Sequence, residues 1–207
     1  MGALASLAQR EEVRARIADL AADANIVSGD PDDVRLSSGD AEAGAFLNPI
    51  LLHCADAAGA SAVHDVEAFG PVATIMGYDG AGEAVALAAK GRGSLAASVF
   101  TDDADFAREV VIGMAPHHGR ILIGNRDSAK SSTGHGSPMP GLVHGGPGRA
   151  GGGEELGGIR GVKHYMQRTA VQGAPRLLAP VVGRWIEGAG ADAEAKPFRK
   201  TLEELRI

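Results

Sequence analysis

Residues 83–123 read EAVALAAK-GRG-SLAASVF-TDDADFAREVVIGM-APHHG-RILI, and this stretch decides the fold. Glu83 to Lys90 is alanine-rich and halts at Gly91 and Gly93, as a short helix and its stop would. Leu95 to Phe100 then reads as a strand. Asp103 to Met114 reads as a second helix: Phe106, Val110 and Met114 share one face, and Asp102 or Asp103 stands where a cap belongs. Arg120 to Ile123 is a strand again. Strands alternating with helices of this length imply crossover connections and a parallel sheet, an α/β fold.

The pattern continues outward in both directions. Residues 4 to 24 form an amphipathic helix, with Val13, Ile17, Leu20 and Ala24 on one face and Arg10, Glu11, Glu12, Arg14 and Arg16 on the other. Asn25 to Val27 is a short strand before the turn Ser28-Gly29-Asp30-Pro31. Phe46 to Cys54 is a strand candidate around Pro49, and Pro71 to Tyr78 another, bounded by Asp79-Gly80. Downstream, residues 134–161 break the alternation, with 12 of those 28 positions glycine. A helix is expected from about Glu154, with Leu156, Ile159, Val162 and Met166 on one face. Thr169 to Gln172 is a final strand. Residues 1–173 are one folded stretch by this reading, and residues 174–207 a linker and tail.

The 207 residues carry a formal charge of −6. That balance excludes a general binder of nucleic acid or of anionic membrane, either of which needs a basic face. A single cysteine, Cys54, excludes an internal disulfide framework and any CxxC site. No stretch approaches the roughly 18 apolar residues of a membrane span. Met1 to Arg10 lacks the layout of a signal peptide, so a cytoplasmic protein is expected.

Few residues present themselves for chemistry. Cys54 and His53 are neighbours, but on a strand they point to opposite faces, so His53 would not activate the thiol. A buried small hydrophobe is the better reading of Cys54. The seven histidines form no HxxxH or HExxH pattern, and His117-His118 before a strand reads as surface; no metal site is expected. The glycine run has no GxxxxGK[ST], and Glu154 and Glu155 at the following helix start would repel a phosphate. Glu67-Ala68-Phe69-Gly70-Pro71 is the sharpest feature. A carboxylate and an aromatic ring two apart lie on one side of an extended segment, as a sugar diol and its attached ring would require. The plain alternative is an exposed glutamate beside a core phenylalanine.

Glu67-Ala68-Phe69-Gly70-Pro71-Val72, Leu95 to Thr101 and Gly119 to Asn125, followed by Gly145-Gly146, Glu155-Leu156-Gly157 and Tyr165, resemble the aldehyde dehydrogenase superfamily in order and spacing across residues 1 to about 173. Asn125 to Lys130, Ser132 to Pro138 and His144 to Glu155 are similar to its phenylacetate-degradation branch. There an aldehyde dehydrogenase domain, often fused to a hotdog-fold enoyl-CoA hydratase or oxepin-CoA hydrolase domain, oxidises a CoA-linked semialdehyde.

The resemblance implies a partial catalytic domain, a parallel-sheet α/β unit with a C-terminal oligomerisation strand and a linker towards a hydratase domain. It implies NADP or NAD as cofactor, with Glu67 holding the nicotinamide ribose hydroxyls and Phe69 packing near the nicotinamide ring. It also implies a homo-oligomer and a Rossmann half that supplies the rest of the site. The family's nucleophilic cysteine, general-base glutamate and oxyanion-hole asparagine lie upstream of the Glu-x-Phe-Gly-Pro motif, further than this chain extends. Cys54 does not match the nucleophile, so no catalytic residue is assigned. Met1 is expected to be an internal methionine, and the chain the C-terminal part of a longer enzyme, inactive alone. The alternatives are a non-catalytic assembly module that pairs with a separately encoded half or a full-length subunit, and a thiol hydrolase using Cys54 with His53.

Overall fold

The structure, a computed structural model, describes residues 2–38, 40–41, 44–132, 148–150, 166 and 168–190. The chain divides into two compact units, Met1–Tyr78 and Asp79–Ile207, a division that the sequence reading did not draw.

In the first unit, α1 spans Leu7–Leu20. It is shorter than the expected 4–24 because Ser6 caps it, its hydroxyl accepting the Gln9 N–H at 3.1 Å. The face read from the sequence is the face that packs: Val13, Ile17, Leu20 and Ala24 are all buried. β1 (Asn25–Ser28) runs antiparallel to β2 (Ile50–Cys54), and β2 runs parallel to β3 (Val72–Met76). β2 starts at Ile50 rather than Phe46, since Pro49 has no N–H to give a ladder. Ile50, Leu52 and Cys54 join the α1 residues in one core. Between them, His53 is exposed. Gly29 permits the turn after β1: its φ is +87°, and a Cβ there would lie 2.2 Å from the Pro49 carbonyl oxygen.

A four-residue helix, α2 (Ala62–Asp65), was not legible in the sequence. Its N-terminus is closed from outside by Asp23, whose carboxylate accepts the N–H groups of Ser61 (2.8 Å) and Ala62 (2.5 Å). Those backbone bonds hold the Asp23 carboxyl below the usual carboxylate range. A cap supplied from 38 residues away leaves no local signature.

The second unit contains α3 (Gly80–Lys90), β4 (Ser94–Phe100), α4 (Ala104–Met114), β5 (His118–Gly124), β6 (Ala170–Gln172) and α5 (Pro175–Val182). The three strands form a sheet in the order β4-β5-β6, both pairings parallel, as the alternation of elements implied. α4 is capped by Asp103, whose Oδ1 accepts the N–H groups of Asp105 and Phe106 at 2.9 and 3.1 Å. Its buried stripe is Ala107, Val110, Val111 and Met114, so the core-facing side is wider than the Phe106-Val110-Met114 line. These residues pack with Val99, Ile121, Ile123 and Leu177.

α5 lies within residues 174–207, the stretch read as linker and tail. Pro175 opens it and Gly183, at φ +68°, ends it in the left-handed conformation, the usual proline-start and glycine-stop arrangement. Leu177 is fully buried in the sheet's core. An alanine- and proline-rich stretch hid an element that only needs one well-placed leucine. The expected helix from Glu154 and most of the glycine run fall outside the described residues.

The surface reading of His118 is corrected. It is the first residue of β5 and is buried. Its Nδ1 lies 3.0 Å from the Met114 carbonyl; a carbonyl only accepts, so the ring donates from Nδ1. Burial holds the His118 pKa below the usual histidine value, opposed in part by that hydrogen bond. The neutral ring is therefore the folded form, while the unfolded chain takes up a proton near pH 6.5. Stability is expected to fall as pH drops through that value and to be fully regained above it. Melting at pH 7.5 and 5.5 checks this, with His118→Gln expected to flatten the difference; an unchanged pH dependence in the variant would assign it to other groups.

Candidate functional site

Glu67 and Phe69 owe their placement to the two residues alternating with them. Val66 and Ala68 pack against the first unit's core, so the intervening side chains project the other way. Glu67 is exposed, and the Phe69 ring is 75% exposed. That rejects the plain alternative of a core phenylalanine: the ring has no structural job in the packed interior of this unit. Two tight backbone bonds bend the chain at Phe69 and at Pro71, Gly70 N–H to Ala68 O at 2.7 Å and Val72 N–H to Gly70 O at 2.8 Å. From there Pro71 leads into β3.

The pair offers the groups that a sugar diol and an attached flat ring would call for. A solvent-facing carboxylate offers two acceptor oxygens to a pair of vicinal hydroxyls, and an uncovered aromatic plate beside it suits a flat heterocycle.

A second feature lies within the other unit, at the C-terminal ends of β4 and β5. An open crevice of about 740 Å³ is lined by Ser98, Phe100, Leu122, Asn125, Arg126 and Ser128, with neighbouring loop residues. Crevices at the carboxyl ends of parallel strands are where open α/β sheets bind ligands. Gly124 shapes it, since a Cβ there would meet the Phe100 ring at 2.7 Å. The floor turn is clamped reciprocally: Asn125 N–H donates to Ser128 Oγ at 3.0 Å, and Ser128 N–H to Asn125 Oδ1 at 3.1 Å. At the rim, Arg126 and Arg176 both approach Asp102, each at 3.6 Å. Leu95 to Thr101 and Asn125 to Lys130 carry the family resemblance, but no site role is read for them. The signal that could have found them is topological, the predicted ends of two adjacent parallel strands.

Cys54 is buried at 1% exposure while His53 points to the opposite, exposed side of β2. The thiol and the imidazole are thus separated by the sheet, which removes the hydrolase alternative. Among the described residues no group of three or more His, Cys, Asp or Glu side chains is placed to hold a metal ion. No helix among them is long and apolar enough to cross a membrane.

Comparison with known proteins meets these features. The model of the aldehyde dehydrogenase family matches residues 1–171. The chain belongs to the aldehyde dehydrogenase family. It is 50% identical to Protein MaoC of Klebsiella aerogenes over 208 aligned residues, covering all of this chain and 60% of that protein. It is 42% identical to the 3,4-dehydroadipyl-CoA semialdehyde dehydrogenase of Aromatoleum evansii, over 71% of this chain and 28% of that enzyme. The chain therefore spans only part of the length of these relatives. Among solved structures it resembles the betaine aldehyde dehydrogenase of Staphylococcus aureus. With an apo mutant the TM-score is 0.58 at 26% identity, over 80% of this chain and 30% of that one. A complex of the same enzyme with NAD+ gives 0.50 at 27% identity, over 59% and 23%. The partial α/β domain with parallel strands is thus the fold of an aldehyde dehydrogenase in part, and the family is one of oxidoreductases, its solved member from Staphylococcus aureus being seen in complex with NAD+.

Proposed function

We propose that the chain is the C-terminal part of the catalytic region of an NAD(P)-dependent aldehyde dehydrogenase that oxidises a CoA-linked semialdehyde to the acid, in cytoplasmic degradation of aromatic compounds of the phenylacetate type. The observation that carries the reading is the outward pairing of Glu67 with the uncovered Phe69 ring. Glu67 accepts hydrogen bonds from the ribose hydroxyls, and Phe69 restricts the nicotinamide ring. When bound, the cofactor supplies the hydride acceptor for the substrate carbon. The semialdehyde named in the Aromatoleum evansii relative supports the substrate class.

The thiol nucleophile, the general base and the dinucleotide-binding fold come from the remaining, Rossmann-bearing portion, and the working enzyme is a homo-oligomer, with a hydratase domain as a further fused partner. A second reading, an assembly module without chemistry of its own, is favoured by the exposure of Ile75 and Phe100 on their respective strands.

The test separates the parts. The purified 207-residue chain is expected to show no cofactor-dependent aldehyde oxidation, and Cys54→Ala to change nothing. Reconstituted with the nucleophile-bearing portion, Glu67→Gln is expected to raise KM for the cofactor about tenfold or more, the loss of a charge-assisted hydrogen bond being worth about 1.5–3 kcal/mol. Activity in the chain alone that vanishes with Cys54→Ala would overturn the proposal. So would a reconstituted enzyme indifferent to Glu67→Gln.

A further inference from the structure

The side chains of Glu67 and Phe69 project into solvent, so packing does not fix their direction. What fixes it is the backbone between Val66 and Pro71, and that backbone is gripped from α1. The Phe69 carbonyl accepts a hydrogen bond from Gln9 Nε2 at 2.9 Å, across 60 residues of sequence. The bends at Phe69 and Pro71 use the Ala68 and Gly70 carbonyls, and the Phe69 carbonyl between them takes Gln9.

Gln9 is itself held. Its Oε1 accepts the Ala5 N–H at 3.0 Å, and its own backbone N–H donates to Ser6 Oγ at 3.1 Å. One backbone partner of the side chain is a donor and the other an acceptor, so a single orientation of the carboxamide satisfies both. One helical turn on, on the same face of α1, Val13 closes on the next residue of the motif. A Cβ at Gly70 would lie 2.9 Å from both Val13 methyls. Two adjacent residues of the motif, Phe69 and Gly70, are thereby seated on two residues of one helix face.

We infer that Gln9 is the positioning residue of the candidate cofactor contact: its carboxamide sets where the Glu67 carboxylate and the Phe69 ring are presented. The inference rests on the assignment of Glu67 and Phe69 to the cofactor. Gln9 acts through the Phe69 carbonyl and touches no reacting atom.

Gln9→Glu tests it, since the carboxylate keeps the length and the acceptor for Ala5 but turns a lone pair on the Phe69 carbonyl. In the 207-residue chain, hydrogen exchange at the Phe69, Gly70 and Val72 amides is expected to quicken several-fold while the β2 amides stay as they are. Unchanged exchange at those amides would overturn the inference. In the reconstituted enzyme, titrated with NADP+ and with NAD+, Gln9→Glu is expected to raise the cofactor KM about three- to tenfold, the span of a neutral hydrogen bond, at unchanged kcat. It is expected to add nothing once Glu67→Gln and Phe69→Ala are both in place. An effect that persists undiminished in that background places the action of Gln9 elsewhere and sinks the inference, with the Glu67 and Phe69 assignment intact. A cofactor KM indifferent to Glu67→Gln and Phe69→Ala removes that assignment and the inference together.

Discussion

Ile123→Ala is expected to cost about 2–5 kcal/mol of stability, the range for emptying a fully buried aliphatic site. Ile123 lies at the middle of the β4-β5-β6 sheet, paired with Val99, and no part of it reaches solvent. It packs within the cluster that joins α4 to Leu177 of α5. The neighbours are themselves tied to strands and helices, so the cavity has little room to collapse. Against a typical total of about 5–15 kcal/mol, the loss is large, and a fall in Tm on the order of 10 °C follows. Urea unfolding followed by circular dichroism measures it. Leu95→Ala is the control: Leu95 is on the same sheet but 47% exposed, and its loss is expected to stay below about 1 kcal/mol. Equal losses at the two positions would show that the core is not where this structure places it.

Gly70→Val is expected to give the second large effect, about 1–3 kcal/mol from overpacking. The new Cβ would enter at 2.9 Å from two methyl carbons of Val13. Val13 cannot swing aside, because a β-branched side chain in a helix has one strongly preferred rotamer and this one is buried. Either α1 or the Glu67–Pro71 segment must move. The segment is the lighter of the two, so the same change is expected to disturb the presentation of Glu67 and Phe69. Thermal melting reads the stability loss, and cofactor KM in the reconstituted enzyme reads the displacement. A relaxing second change, Val13→Ala, is expected to recover part of both. No recovery would mean that the contact between Gly70 and Val13 is not what the valine disrupts.

The division between what is legible in the sequence and what is not follows the range of the forces involved. The face of α1 carrying Val13, Ile17, Leu20 and Ala24 was readable because helical periodicity is a local property, and the α/β alternation from Glu83 to Ile123 for the same reason. The opposite sides of His53 and Cys54 followed from the two-residue period of a strand, and both strands of that argument hold in β2.

What failed to show was non-local. α2 depends on a carboxylate 38 residues upstream, and α5 on a sheet waiting to receive Leu177. His118 is buried because β5 begins three residues before its apolar run, where a paired backbone draws the ring inside. The candidate site divides in the same way. The sequence by itself determined the chemistry available at Glu67 and Phe69, since a carboxylate and a ring two apart on an extended segment share a side wherever that segment lies. Only the tertiary structure decided that the side is the open one, because Val66 and Ala68 take the core. Only the fold, too, brought Gln9 within 2.9 Å of the Phe69 carbonyl, a contact across 60 residues that no local pattern encodes.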